Sequence, residues 1–77
     1  MSKFVMRKCN TCQGEICFYT ENVTNIVYLC CDDCEVEFTT PQDAATFCNG
    51  TRNKFGLSRF STIDEIKKTQ WDKYIIN

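Results

Sequence analysis

Cysteine is the residue type in this chain best suited to chemistry, and two close pairs stand out among its seven cysteines. Cys9 and Cys12 form one C-x-x-C pair, Cys31 and Cys34 form the other, and eighteen residues separate the pairs. Two residues between cysteines allow a tight turn that aims both sulfur atoms at one ion about 2.3 Å away, and two such turns complete a tetrahedron. The spacing therefore predicts a structural Zn²⁺ site, because four thiolate ligands leave no position for a catalytic water.

Cys30 leaves the choice of ligand in the second pair open. The spacing Cys30-x3-Cys34 is similar to that of treble-clef zinc fingers, in which the second pair opens a helix. We favour Cys31, because its spacing matches that of the first pair and because residues 35–39 alternate between polar and apolar side chains as a strand does. Gly14, two residues after Cys12, is expected to supply a positive φ for the turn.

Three cysteines lie outside the two pairs, namely Cys17, Cys30 and Cys48. Because free cysteine is among the most buried residue types, all three are expected to act as small buried hydrophobic residues. A secreted disulfide framework is disfavoured by the odd number of cysteines and by residues 1–8, which lack the apolar stretch of a signal peptide. The chain has no histidine, so no Cys-His nucleophile pair can form. We therefore expect a cytoplasmic protein that is not an enzyme.

The two cysteine pairs must be brought together by a β-hairpin. Residues 16–20 and 26–30 favour strands, a polar turn lies between them, and residues 35–39 predict a third short strand with Val36 and Phe38 on one face. These segments form a zinc ribbon over residues 9–40.

The rest of the chain, residues 41–77, is predicted to be a helical C-terminal part of the same single domain, 1–77. Thr40 and Pro41 start a helix over residues 42–47 that ends near Asn49, and residues 51–59 form an irregular loop. Thr62 and Glu65 have the spacing of a capping box for a helix over 63–70, followed by a turn or a second helical segment through residue 74. The fold class is small α+β, with a three-stranded sheet and one or two short C-terminal helices. No apolar run approaches the roughly 20 residues of a membrane span.

Charge is divided unevenly along the chain. Residues 1–45 contain three basic and seven acidic side chains, whereas residues 46–77 contain six basic and three acidic ones. Four acidic residues lie in or beside the second cysteine pair, namely Asp32, Asp33, Glu35 and Glu37. They would repel phosphate, so nucleic acid is an improbable partner; the cluster is either a solvated face or a surface that docks a basic protein.

Two alternative functions remain open. A nucleic-acid-associated zinc ribbon would use the basic and aromatic residues of the second half, which are Arg52, Lys54, Arg59 and Phe55 or Phe60. A thiol- or metal-handling protein would use Cys30 or Cys48.

The chain also resembles small bacterial zinc-ribbon proteins of unassigned role. The resemblance is carried by the C-x-x-C pair, the second pair of Cys-acidic-acidic-Cys type, and a closing segment, Ser61-Thr62-Ile63-Asp64-Glu65-Ile66-Lys67-Lys68 with Trp71. Some of these proteins look like immunity partners encoded beside secreted toxins. The resemblance therefore implies a non-enzymatic module that binds and neutralises a toxin.

Overall fold

An antiparallel β-sheet is the main structural element of the computed structural model, which describes residues 3–77. Met1 and Ser2, part of the leading segment considered above, lie outside the described residues. The strands are β1 (Val5–Lys8), β2 (Glu15–Glu21), β3 (Val27–Cys31), β4 (Glu37–Phe38) and β5 (Ser58–Phe60). The helices are α1 (Pro41–Thr46) and α2 (Ile63–Lys68), and a 3₁₀ helix spans Asp72–Tyr74. The predicted α+β class is confirmed, although the sheet has five strands rather than three.

The predicted hairpin of β2 and β3 forms the centre of the sheet. These strands pair from Ile16 opposite Cys31 to Thr20 opposite Val27. The other edge of β2 is shared, because β1 pairs with its first half and β5 with its second half. β4 pairs with the outer edge of β3. Each cysteine pair therefore lies between two strands that are held in one sheet.

The sheet differs from the prediction in the third strand and in β5. Glu35 has φ 66° and interrupts the extended conformation, so β4 covers only two residues of the predicted 35–39 segment. Residues 51–59 were predicted to form an irregular loop, and this was wrong for Ser58 and Arg59. These residues belong to β5, which pairs with the part of the β2 edge that β1 leaves unpaired. Strand β1 was not predicted at all.

The hydrophobic core lies on one face of the sheet, under the helices. It contains buried side chains from all of β1–β4, from α1 and from α2: Met6, Cys9, Ile16, Phe18, Val27, Leu29, Cys31, Val36, Phe38, Ala44 and Ile66. Trp71, Tyr74 and Ile75 pack against this core, as their spacing predicted. None of the helices within residues 3–77 is long and apolar enough to cross a membrane.

Both helices begin at the caps that the sequence predicts. The Thr40 side chain accepts a hydrogen bond from Asp43 N (3.2 Å) and Pro41 is the first helical residue of α1. The helix ends at Thr46, before the predicted stop, because Phe47 adopts a left-handed conformation with φ 54° and packs its ring 5.2 Å from that of Phe38.

Helix α2 has a complete capping box. Glu65 N donates to Thr62 Oγ1 (3.2 Å) and Thr62 N donates to Glu65 Oε1 (2.9 Å). The Glu65 carboxylate also accepts hydrogen bonds from Thr20 in β2 and from Arg59 in β5. Burial raises the pKa of Glu65, but the donors Thr62, Thr20 and Arg59 outweigh it, so that the pKa lies below its usual value. The cap therefore ties α2 to the sheet.

Candidate metal centre and the surface beside it

The two cysteine pairs are turns at the same end of the sheet. The first knuckle, Cys9–Cys12, links β1 to β2, and the second knuckle, Cys31–Cys34, links β3 to β4. Both turns are closed by a backbone hydrogen bond over the same interval, from Cys9 N to Gly14 O (3.0 Å) and from Cys31 N to Val36 O (2.9 Å). Pairing of β2 with β3 places the knuckles side by side.

All four knuckle sulfur atoms converge on one point. The Sγ atoms of Cys9, Cys12, Cys31 and Cys34 lie within 4.8 Å of one another. Cys9 Sγ is 3.8 Å from Cys34 Sγ, and Cys12 Sγ is 3.4 Å from Cys31 Sγ. Sulfur atoms bound tetrahedrally at 2.3 Å from one ion would be about 3.8 Å apart. The cluster therefore has the size of a four-thiolate metal site.

Backbone N–H groups contact the sulfur atoms, but the four thiols differ, since burial raises the pKa of Cys31 to about 12. Gly14 N donates to Cys12 Sγ (3.2 Å) and Asp33 N donates to Cys31 Sγ (3.4 Å). The backbone N–H of Val36, together with the Thr11 hydroxyl, lowers the pKa of Cys34 to about 6. Sulfur donors in a tetrahedral arrangement select zinc or iron–sulfur centres over hard cations such as Mg²⁺. The residues present therefore fit a tetrahedral metal centre.

Gly14 has a different role from the one expected. The prediction of a positive φ at Gly14 was wrong, since no glycine in the described part of the chain has one. A Cβ atom at Gly14 would instead lie 2.7 Å from Asp33 Cβ, 2.8 Å from Cys31 Sγ and 2.9 Å from Asp32 Oδ1. Glycine is required here because the two knuckles approach each other so closely.

The three remaining cysteines have different environments. Side chains alternate between the two faces of β3, so Cys30 lies on the face opposite the sulfur cluster. There it is paired with the buried Cys17 of β2. Burial raises the pKa of Cys17 to about 11 and that of Cys30 to about 12, which makes both thiols poor nucleophiles. Cys48 is exposed, so the prediction of a buried small hydrophobe was wrong for it; it lies in the turn after α1, away from the packed face.

The four acidic residues divide into two groups. Asp32 is paired, because its carboxylate accepts from Glu15 N (3.0 Å) and from Lys3 Nζ (2.8 Å). Glu37 is 6% exposed and accepts hydrogen bonds from the 51–55 segment. Asp33 and Glu35 are exposed, and within residues 3–77 their carboxylates have no hydrogen-bond or ion-pair partner.

The basic and aromatic residues of the second half are engaged in several contacts. Arg59 binds Glu65 and donates to Asn22 Oδ1 (2.9 Å), while Arg52 Nε donates to Cys34 O (3.2 Å). Lys54 Nζ lies 5.7 Å from the centre of the Phe55 ring. The remaining aromatic residue of the set, Phe60, packs on Tyr19.

Two residues near the centre were missed by sequence reasoning. Arg7 donates to Asn10 Oδ1 in the first knuckle and to Ala45 O (2.6 Å) at the end of α1, so it links the knuckle to the helix. Thr11 Oγ1 lies 3.4 Å from Cys9 Sγ and 3.6 Å from Cys34 Sγ. Both sets of contacts join residues near the first knuckle to α1 or to the second knuckle, which are distant in the sequence. No local sequence pattern predicts them.

Fold and cluster together define a small α+β protein with a four-cysteine site that could hold a metal ion, an arrangement compatible with a zinc ribbon. No protein-family model, no curated protein and no solved structure matches the chain. The resemblance to toxin-associated proteins therefore receives no support from these comparisons, and the function must be argued from the residues themselves.

Proposed function

We propose that Cys9, Cys12, Cys31 and Cys34 hold one Zn²⁺ ion with a structural role. The observation that supports this most strongly is the convergence of four sulfur atoms within 4.8 Å. Four protein ligands saturate a tetrahedral zinc ion, which leaves no position for substrate or water. The ion would join the ends of β1–β4, and structural zinc can contribute on the order of 10 kcal/mol to the folding of a small domain.

We further propose that the protein is a non-enzymatic binding module whose exposed acidic surface, Asp33 and Glu35, docks a basic protein. Within residues 3–77 these carboxylates have no hydrogen-bond or ion-pair partner, and the metal would hold the knuckle that contains Asp33 and directly precedes Glu35. A rigid surface loses little conformational entropy on binding. Four thiolates around one Zn²⁺ add two negative charges beside the same surface, which strengthens its attraction for a positive partner.

The specific version we propose is an immunity protein of the cytoplasm that neutralises a basic toxin. A toxin that cleaves nucleic acid has a positive groove to hold phosphate, and an acidic protein could occupy it. The resemblance noted in the sequence points the same way. A reducing compartment would also keep the four thiols available for zinc.

The test compares two double variants in the zinc-loaded protein. Partners are recovered at low salt from an extract of the source organism and identified, and association kinetics are then measured with the purified partner. Asp33→Lys with Glu35→Lys should slow association with a basic protein partner about tenfold or more at low salt, and the difference should shrink at high salt. Asp64→Lys with Asp72→Lys, on the helical side of the molecule, provides a control of equal charge.

Equal effects of the two double variants would mean that net charge, rather than this surface, controls association. Recovery of nucleic acid without a protein partner would contradict the proposal and favour the nucleic-acid alternative.

A further inference from the structure

The face of the sheet opposite the helices carries an open cleft beside the second knuckle. The cleft has a volume of about 540 Å³ and lies between the knuckle and the 52–58 segment. Its floor is aromatic, because the rings of Tyr28 and Phe55 stack with centres 3.9 Å apart and Tyr19 continues the stack 6.0 Å from Tyr28. No helix covers this side of the sheet in the part of the chain that the structure describes.

The wall formed by the 52–58 segment is held in place from inside the protein. The buried carboxylate of Glu37 accepts hydrogen bonds from Thr51 Oγ1 (3.0 Å), Lys54 N (3.0 Å) and Phe55 N (3.4 Å). The Tyr28 hydroxyl donates to Ser58 Oγ (2.7 Å) at the other end of the segment. The cleft is therefore formed before a partner binds, which lowers the entropic cost of binding.

The charge of the cleft selects the chemistry of its occupant. Asp33 and Glu35 line its rim with free carboxylates, and Asp32 and Glu37 also line it. Arg52 is the single basic residue of the lining, and its Nε donates to the Cys34 carbonyl on the knuckle side. An aromatic floor below a carboxylate rim favours a long side chain with an apolar stem and a cationic head.

We infer that this cleft receives an arginine side chain of a basic protein partner; the inference rests on the proposed function and specifies where binding takes place. The arginine stem would lie on Phe55, whose ring covers the buried Tyr28, and the guanidinium would meet Asp33 or Glu35 at the rim. Arginine fits better than lysine, because its planar guanidinium binds a carboxylate through two parallel hydrogen bonds, which an ammonium group cannot form.

The inference can be tested with a defined probe. The acetylated and amidated peptide Gly-Arg-Gly-Arg-Gly is titrated into the ¹⁵N-labelled, zinc-loaded protein, and amide chemical shifts are followed by NMR. We expect the shifts to move mainly at Asp33, Glu35, Phe55 and Ser58, and we expect the citrulline version of the peptide to cause no such change. Asp33→Asn with Glu35→Gln should weaken binding about fivefold, Phe55→Leu should also weaken it, and Asp64→Asn with Asp72→Asn should not.

The outcomes separate the inference from the proposed function. In one outcome the rim variants weaken peptide binding, Phe55→Leu does not, and the peptide leaves the amide shifts of residues 55–58 unchanged. This outcome would support the acidic surface as the docking site but overturn the role of the cleft. If the control pair weakens binding as much as the rim pair, the proposed function fails as well. Equal binding of a lysine version of the peptide would overturn the choice of arginine, and binding of the citrulline version would overturn the role of charge.

Discussion

Gly14 is the residue at which the two knuckles come closest. A methyl group there would meet Asp33 and the sulfur atom of Cys31 at less than 3 Å, and these neighbours belong to a closed turn that cannot easily move. Overpacking of this kind usually costs about 1–3 kcal/mol. Gly14 thus sets the separation of the two halves of the four-cysteine cluster.

Gly14→Ala should therefore reduce the free energy of unfolding by about 1–3 kcal/mol and should speed the loss of metal to a chelator. Gly56→Ala is the matched control, because the nearest atom to its Cβ would be Glu21 Oε2 at 3.4 Å, an ordinary van der Waals distance. Chemical denaturation and zinc-release kinetics measure both effects. Equal stability and equal zinc release in the two variants would contradict this role of Gly14.

Cys30 and Cys31 are neighbours on β3 that point to opposite faces, which makes them a natural pair for comparison. Cys31→Ala removes a sulfur atom from the cluster and should abolish stoichiometric zinc binding. Cys30→Ala should keep one zinc per chain and lose only packing energy, since its thiol contacts Cys31 O (3.4 Å) on the other face. Elemental analysis of the two purified variants distinguishes these results. Zinc loss in Cys30→Ala alone would show that Cys30, and not Cys31, is the ligand, as in a treble clef.

Glu37 shows how one strand residue organises a neighbouring segment. The carboxylate lies inside the protein and binds the 51–55 segment, whereas the sequence grouped Glu37 with the acidic cluster that was interpreted as a solvated face or a docking surface. The isolated bridge between Glu37 and Thr51 adds backbone hydrogen bonds in both directions. Without this carboxylate one wall of the cleft would lose its main anchor.

Glu37→Gln should lower the free energy of unfolding by about 1.5–3 kcal/mol, because the hydrogen bond from Phe55 N to Oε2 is lost and the two bonds to Oε1 no longer have a charged acceptor. The amides of Lys54 and Phe55 should exchange faster with solvent, which hydrogen exchange followed by NMR can measure. Glu35→Gln changes an exposed carboxylate and should alter stability by no more than about 0.5 kcal/mol. Unchanged exchange at Lys54 and Phe55 in Glu37→Gln would show that the segment does not depend on the carboxylate.

Local rules account for the elements that could be predicted from the sequence. The knuckles, the β2–β3 hairpin and the caps at Thr40 and Thr62 depend on residues close together in the chain, and each has a recognisable pattern. Strand β5 depends on the free edge of β2, which is distant in the sequence, and β1 depends on pairing with β2 across the first knuckle, so their own residues carry only a weak signal. The burial of Glu37 and the steric role of Gly14 likewise result from contacts across the sheet.

At the scale of the whole molecule, the sheet separates the hydrophobic core from the cleft. One face carries the hydrophobic core and the helices, and the other carries the aromatic cleft. The knuckles at the end of the sheet contribute to both, since Cys9 and Cys31 are buried in the core while Asp33 and Glu35 project at the cleft rim. A metal ion in the cluster would fix the core and the rim of the cleft at the same time.

The central claim, a structural zinc ion, is tested most directly by removing the metal reversibly from the full chain. The protein is purified in reducing buffer, its zinc content is measured, and its ¹H–¹⁵N NMR spectrum is recorded before chelation, after chelation and after zinc is restored. We expect one zinc per chain, loss of the dispersed amide resonances of both knuckles and of β2 and β3 on chelation, and their return with Zn²⁺. A metal-free chain that keeps the same dispersed spectrum in reducing buffer would contradict the claim.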